Sequence, residues 1–132
     1  MSEIVIDPQE YYVWIACKDG WRRMAGHVVT IQDINFSIVA MPNNKNDGMD
    51  LVFSSLDSGS KFRSVPINIL EFLVCDTKEK TLAQYAGCSL IPLATIERIG
   101  KEKVLSAIEK SKKENEDKFG AIPKIEILEE IR

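Results

Sequence analysis

The chain has 132 residues, 45% of them hydrophobic and 28% charged, with 7 glycines and 5 prolines. That is one domain's worth of sequence, and it excludes collagen-like, low-complexity and wholly disordered classes. A net charge of -3 denies the chain the positive field on which non-specific nucleic-acid binding depends.

The first half reads as β structure. Residues 10–17 (EYYVWIAC) are aromatic and β-branched, and Lys18-Asp19-Gly20 supplies a turn before a second run opens at Trp21 and continues to Ile31. Asp33-Ile34-Asn35 reads as a tight reversal into a third strand at 36–41, followed by a polar stretch at 42–48 (PNNKNDG) expected to be a mobile, exposed loop. A fourth strand is expected at 49–56 and, after Asp57-Ser58-Gly59-Ser60, a fifth at 61–67, where Pro66 implies an edge or a strand end.

The second half reads as helical. Asp76-Thr77-Lys78-Glu79 has the form of a capping box, and Leu82, Tyr85 and Ala86 are expected on the inner face of the helix that follows. Gly87 and Pro92 predict a break between Cys88 and Leu93. Gly100 separates a final helix at 101–119 with a short apolar stripe, Val104, Leu105 and Ile108, beyond which its polar turns are expected to project into solvent or await a partner. Residues 121–132 are expected to be a strand or a tail, with Ile125 and Ile127 on one face. The expected fold is α+β within a single domain spanning 1–132: an antiparallel sheet of about five strands in 1–75, with two C-terminal helices in 76–120 covering one of its faces. Tyr11, Tyr12, Trp14 and Trp21 crowd both faces of the first hairpin, so a homo-oligomer is expected to cover the face the helices leave bare.

Charge density differs between the halves: residues 1–75 hold 6 Lys/Arg and 9 Asp/Glu, and residues 76–132 hold 11 of each. Cys17, Cys75 and Cys88 are odd in number and lack a CxxC spacing, which fits reduced thiols and a cytoplasmic location. No apolar run is long enough to cross a bilayer and no signal peptide is visible, so no membrane partner is expected.

His27 is the only histidine, which removes multi-histidine metal sites, and no metal or cofactor is expected. Cys17 and His27 lie on neighbouring strands of the first hairpin, but a core thiol and a strand histidine explain them better than a catalytic pair. Asp50, Asp57 and Lys61 have the residue types of a nuclease site, yet two of them sit in turns where Asp serves the backbone. Ser58-Gly59-Ser60 is too short for a phosphate loop, and Lys110-Ser111-Lys112-Lys113 reads as a solvated helix face. With no catalytic constellation, the chain is not expected to be an enzyme. The β half places Trp21, Arg22 and Arg23 after one turn, and Lys61 and Arg63 are expected on one face of another strand. Arginine beside an aromatic ring can clamp a phosphate while the ring stacks, which makes these five the candidate ligand-binding residues.

Val52-Phe53-Ser54-Ser55-Leu56-Asp57-Ser58-Gly59 resembles the strand–turn segment W-x-V-S-E-x-x-T-G of small phage-encoded proteins. In those proteins an aromatic strand precedes the segment, as at 36–41. A T-K-E-type helix start and a second helix after a glycine follow it, as at 77–81 and 99–104. The resemblance runs from about Gly26 to Lys112, with Leu51 and Ser55 where tryptophan and glutamate are usual. A small antiparallel sheet followed by two helices is similar to the Thoeris anti-defence sponges. That resemblance implies a phage-encoded, non-catalytic protein sequestering a phosphorylated, nucleotide-like ligand in the host cytoplasm; none of that family's ligand-binding residues maps onto this chain. The alternative expectation is a protein–protein inhibitor or adaptor that acts on a host protein through the sheet edge or the last helix.

Overall fold

The computed structural model describes residues 3–43, 48–68, 70 and 73–128. In chain order these form β1 (Ile4–Cys17), β2 (Gly20–Ile31), β3 (Ile34–Asn43), β4 (Gly48–Ser55), β5 (Lys61–Ile67), α1 (Lys78–Cys88), α2 (Leu90–Ile99), α3 (Lys101–Phe119) and β6 (Glu126–Ile127). The fold is α+β: one antiparallel sheet in the order β5-β4-β3-β2-β1-β6, followed by helices, α1 and α2 running as one helical stretch broken at Ser89.

The first hairpin turns at Lys18-Asp19 as its sequence predicts, with Cys17 opposite Gly20. The β2–β3 reversal falls earlier than expected, at Gln32 and Asp33, which both have positive φ (48° and 66°). Two consecutive left-handed residues match the right-handed twist of the flanking strands, so Ile34 is already in the ladder. β1 begins well before residue 10 because the ladder continues past a bulge between Ile6 and Glu10. Pro8, which cannot donate, is absorbed there: Gln9 N–H donates to Asp7 Oδ1 (2.9 Å) and Tyr11 Oη–H to Asp7 Oδ2 (2.6 Å). Pro42 and Asn43 belong to β3; the rest of the expected mobile loop, residues 44–47, lies outside the described residues.

Side chains alternate along each strand, which gives the sheet two apolar faces. On the first, Val29, Ile31, Phe36, Ile38, Leu51, Phe53, Val65 and Ile67 pack against Tyr85, Leu93, Ile96 and Val104 of the helices. On the second, Val13, Ile15 and Val39 form a smaller core with Tyr11, Met24, Met41 and Leu56. The hairpin itself covers that second face. β2 pairs with β3 only from His27 to Ile31, so residues 20–26 leave the sheet and carry the outer half of β1 with them. They leave at Gly26, where a Cβ would lie 2.6 Å from the Ile38 carbonyl oxygen. The outer end is tied down by Ala16 N–H donating to Gly59 O (2.9 Å) in the β4–β5 turn. Within one chain Val13 and Ile15 are 0% and 7% exposed, while Tyr11, Tyr12, Trp14 and Trp21, on which the oligomer expectation rests, are half-buried.

Thr77, rather than Asp76, caps α1, its Oγ1 accepting from Lys80 N–H (3.2 Å), while Asp76 pairs with Lys80 (2.9 Å). Tyr85 is buried and Leu82 half-buried, but Ala86 faces solvent. The break at Ser89 lies in the predicted interval, and Pro92 sits in the first turn of α2, where a missing N–H costs nothing. α3 spans the expected residues, yet its polar second half docks through hydrogen bonds in place of an apolar stripe. Asn115 Nδ2 donates to Ser58 O (2.7 Å) and Ser60 Oγ (2.8 Å), and Phe119 meets Trp21 edge-on at 5.8 Å. Trp21 Nε1–H then donates to Gly120 O and Trp14 Nε1–H to Lys124 O, both at 3.2 Å, before β6 pairs with Tyr11 and Tyr12. Among the described residues of this segment Glu126 and Ile127 form strand, with Ile125 and Ile127 exposed; residues 129–132 lie outside the described residues. Among the described residues no helix is long and apolar enough to cross a membrane.

Candidate functional site

The five candidate ligand-binding residues do not converge. Trp21 pairs with Ala16, and its indole is occupied by Gly120 and Phe119, so it fastens the C-terminal segment to the hairpin. Arg22 and Arg23 stand opposite Ile15 and Trp14, hence on opposite faces, and Arg23 lies over the Tyr12 ring at 4.3 Å. The alternation expected to align Lys61 with Arg63 is broken by a second bulge, where Lys61 faces Ser54 and Arg63 faces Phe53. The extra residue, Phe62, turns inward to lie 5.1 Å from Phe36.

The other constellations considered from the sequence come apart as well. Cys17 sits at the turn end of the hairpin and His27 at the opposite end, opposite Glu10, so they are not a pair. Asp50 accepts from Asn43 Nδ2 (3.0 Å) and pairs with Pro66, at the far end of β4 from Lys61. Among the described residues no group of three metal-ligating side chains comes together. His27 is 7% exposed with its ring edge-on to Tyr85 at 5.3 Å, and burial pushes its pKa below the ordinary histidine value.

Of the five, Lys61 lines a cleft. It opens between the β4–β5 turn and α3, holds about 230 Å³, and is floored by Phe62, Val104 and Ile108. The second bulge makes it, because turning Phe62 inward supplies the floor and leaves Lys61 on the rim. Lys103 reaches the same space from α3. Neither lysine has a carboxylate partner among the described residues, whereas Lys101 next along the helix is held by Asp33 (3.6 Å).

The polar end of the cleft is built from serines. Ser58 N–H donates to Ser55 Oγ and Ser60 N–H to Ser58 Oγ, both at 3.2 Å, in a turn where Gly59 has φ +74°. Ser60 Oγ and Ser111 Oγ share a further hydrogen bond. Ser60 Oγ also accepts from Asn115 Nδ2, and either hydroxyl can donate in the Ser60–Ser111 bond, so the two hydroxyls together form the polar end of the cleft. Sequence reasoning missed Lys103, Ser111 and Asn115. The available signal was Ser111 and Asn115 four residues apart on one helix face, a polar stripe hidden within a run of lysines and glutamates.

No family model matches this chain, and no curated protein or solved structure matches it.

Proposed function

We propose that the protein is a non-catalytic binding protein that captures a small phosphorylated, nucleotide-like ligand in the cleft between the β4–β5 turn and α3. The observation that carries this reading is the pair of unpartnered ammonium groups, Lys61 and Lys103, entering one apolar-floored cleft from different elements. A phosphate between them completes both ion pairs and meets the Ser60 and Ser111 hydroxyls, while a ring system finds Phe62 and Ile108. The lining contains no carboxylate, imidazole or thiol to move a proton, which favours capture over turnover. Sequestration of a nucleotide-like signal by a phage-encoded, cytoplasmic protein, as the resemblance implies, is the biological setting this reading proposes.

Calorimetric titration with 5′-AMP, adenosine and inorganic phosphate tests it. AMP is expected to bind saturably and more tightly than either fragment, with Lys61→Ala and Lys103→Ala each weakening it about three- to tenfold, the scale of one exposed charge contact. Arg22→Ala and Arg63→Ala are expected to leave it unchanged. AMP binding indifferent to both lysines, or no binding of any phosphorylated probe, overturns the assignment.

One observation favours the second reading, an inhibitor or adaptor of another protein. Leu90, Ile91 and Ile99 of α2 and Leu105 of α3 are 40–58% exposed, and β5 leaves an unpaired sheet edge among the described strands. A stoichiometric protein complex abolished by Leu90→Asp, with no effect of the lysine substitutions, would carry that reading instead.

A further inference from the structure

A second cleft, independent of the one above, lies where the first bulge of β1 meets the start of α1. It holds about 300 Å³ and is lined by Glu10 and His27 on the sheet side and by residues 75–78, Thr81 and Leu82 at the start of α1. Glu10 and Lys78 continue into an adjoining recess of about 220 Å³ with Gln9 and Leu128. Glu10 is the first paired residue after the bulge, and its partner across the ladder is His27. Bulges re-aim the side chains beside them. Here the result is a carboxylate and an imidazole directed from the sheet toward a helix start.

Thr81 Oγ1 donates to Thr77 O (3.0 Å), but the charged groups and the imidazole of this cleft are not satisfied by their neighbours. Glu10 and Lys78 form no ion pair with each other or with any other described residue, although both line the same space. Asp76 is already committed to Lys80. His27 is more than nine-tenths buried, its ring makes no hydrogen bond among the described residues and stands edge-on to the Tyr85 ring, and it lines the cleft. The Thr77 cap serves the Lys80 amide, so the amide of Lys78 remains among those a helix cannot bond internally. One wall therefore offers a carboxylate, the other an ammonium beside a helix N-terminus, and between them stands a buried imidazole with open hydrogen-bonding capacity.

We propose that this cleft binds a small zwitterion of the free α-amino-acid class, with its carboxylate at Lys78 and the α1 N-terminus and its ammonium at Glu10, against the His27 ring. A ligand carrying one charge would leave the opposite wall unpaired and partly desolvated, whereas a zwitterion matches both. Burial keeps the His27 imidazole neutral near pH 7.5, so it offers one donor and one acceptor without adding charge.

His27 is the only histidine, so its ring Hε1 resonance reports on this cleft alone. The full chain, carbon-13 labelled and held at pH 7.5, is titrated with glycine, alanine and serine, and separately with glycolate and ethylamine, which each carry one of the two charges. The expected result is a saturable shift of Hε1 with at least one zwitterion, at a half-saturation at least tenfold below that for glycolate or ethylamine. Glu10→Gln and Lys78→Gln should each raise that half-saturation about tenfold at an unchanged unfolding midpoint. Lys78 is exposed at the first helical position, so its substitution folds even if Glu10→Gln does not. No shift with any zwitterion up to its solubility, or equal binding of glycolate or ethylamine, overturns the proposal.

Discussion

The two faces of the sheet are closed by different means. The first is covered by helices that arrive from elsewhere in the chain and bring Tyr85, Leu93, Ile96 and Val104 onto Phe36 and Phe53. The second is covered by the sheet's own hairpin folding back at Gly26, and its core is only Val13, Ile15 and Val39 with half-buried neighbours. Packing on the first face is fixed by side-chain volume. On the second it is fixed by the path of the backbone, so a single glycine and a single turn decide whether that core exists.

The largest test of this difference sits on the first face. Phe53 is fully buried among the helices and β strands, and Phe53→Ala is expected to cost about 3–5 kcal/mol in urea unfolding, the range for an aromatic lost from a packed core. The corresponding test of the second face alters the backbone. In Gly26→Ala the new Cβ would lie 2.6 Å from the Ile38 carbonyl oxygen, which cannot move without breaking the β2–β3 ladder. A loss of about 2–3 kcal/mol is expected from this strain. It should come with a selective rise in amide exchange at Val13 and Ile15, while Ile96 and Val104 stay protected. Equal exchange on both faces would show that the hairpin and the helices open together.

The elements were legible in the sequence where local chemistry sets them. The Lys18-Asp19-Gly20 turn, β5 at 61–67, the Ser89 break near Pro92 and α3 at 101–119 all follow from turn residues, proline and helical spacing. Both bulges were not legible, because a bulge is a mismatch between two strands and neither strand carries it alone. The expected alignment of Lys61 with Arg63 came apart for that reason: the bulge at Phe62 separates them and makes the cleft floor. The closure of the second face was equally hidden. Nothing local to residues 10–31 shows that the strand bends at Gly26 and brings Val13 and Ile15 onto Val39.

A smaller effect follows from His27, at the rim of the first core. Its pKa is lowered in the folded protein, first by burial and then by the Lys78 charge, with Glu10 and Asp7 opposing. Above the ordinary histidine value of 6.5 both folded and unfolded chains carry the neutral ring, and the full stability is present. As pH falls below 6.5 the unfolded chain takes up the proton more readily than the folded one, so stability declines. Thermal unfolding between pH 7.5 and 5 is expected to show a falling Tm in the native chain and a flatter profile in His27→Gln. Parallel profiles would place the pH sensitivity elsewhere.

The smallest expected effect separates the two faces by their serines. Ser37 and Ser54 face each other across β3 and β4 beneath the folded hairpin, 1% and 0% exposed, and neither hydroxyl has a hydrogen-bond partner. Ser89, equally buried on the helical side, donates its hydroxyl to Tyr85 O at 2.6 Å. Removing a partnered hydroxyl loses a hydrogen bond and leaves the acceptor short, so Ser89→Ala is expected to cost about 0.5–1.5 kcal/mol. Removing an unpartnered one relieves a desolvation penalty and leaves a void the size of one oxygen, two opposing terms of similar size. Ser54→Ala is therefore expected to be neutral or to gain up to about 1 kcal/mol. Urea midpoints at constant slope decide between them. A loss at Ser54 as large as that at Ser89 would mean that the second face holds its hydroxyls as firmly as the first, and the contrast between volume-fixed and backbone-fixed packing would fail at its most buried polar pair.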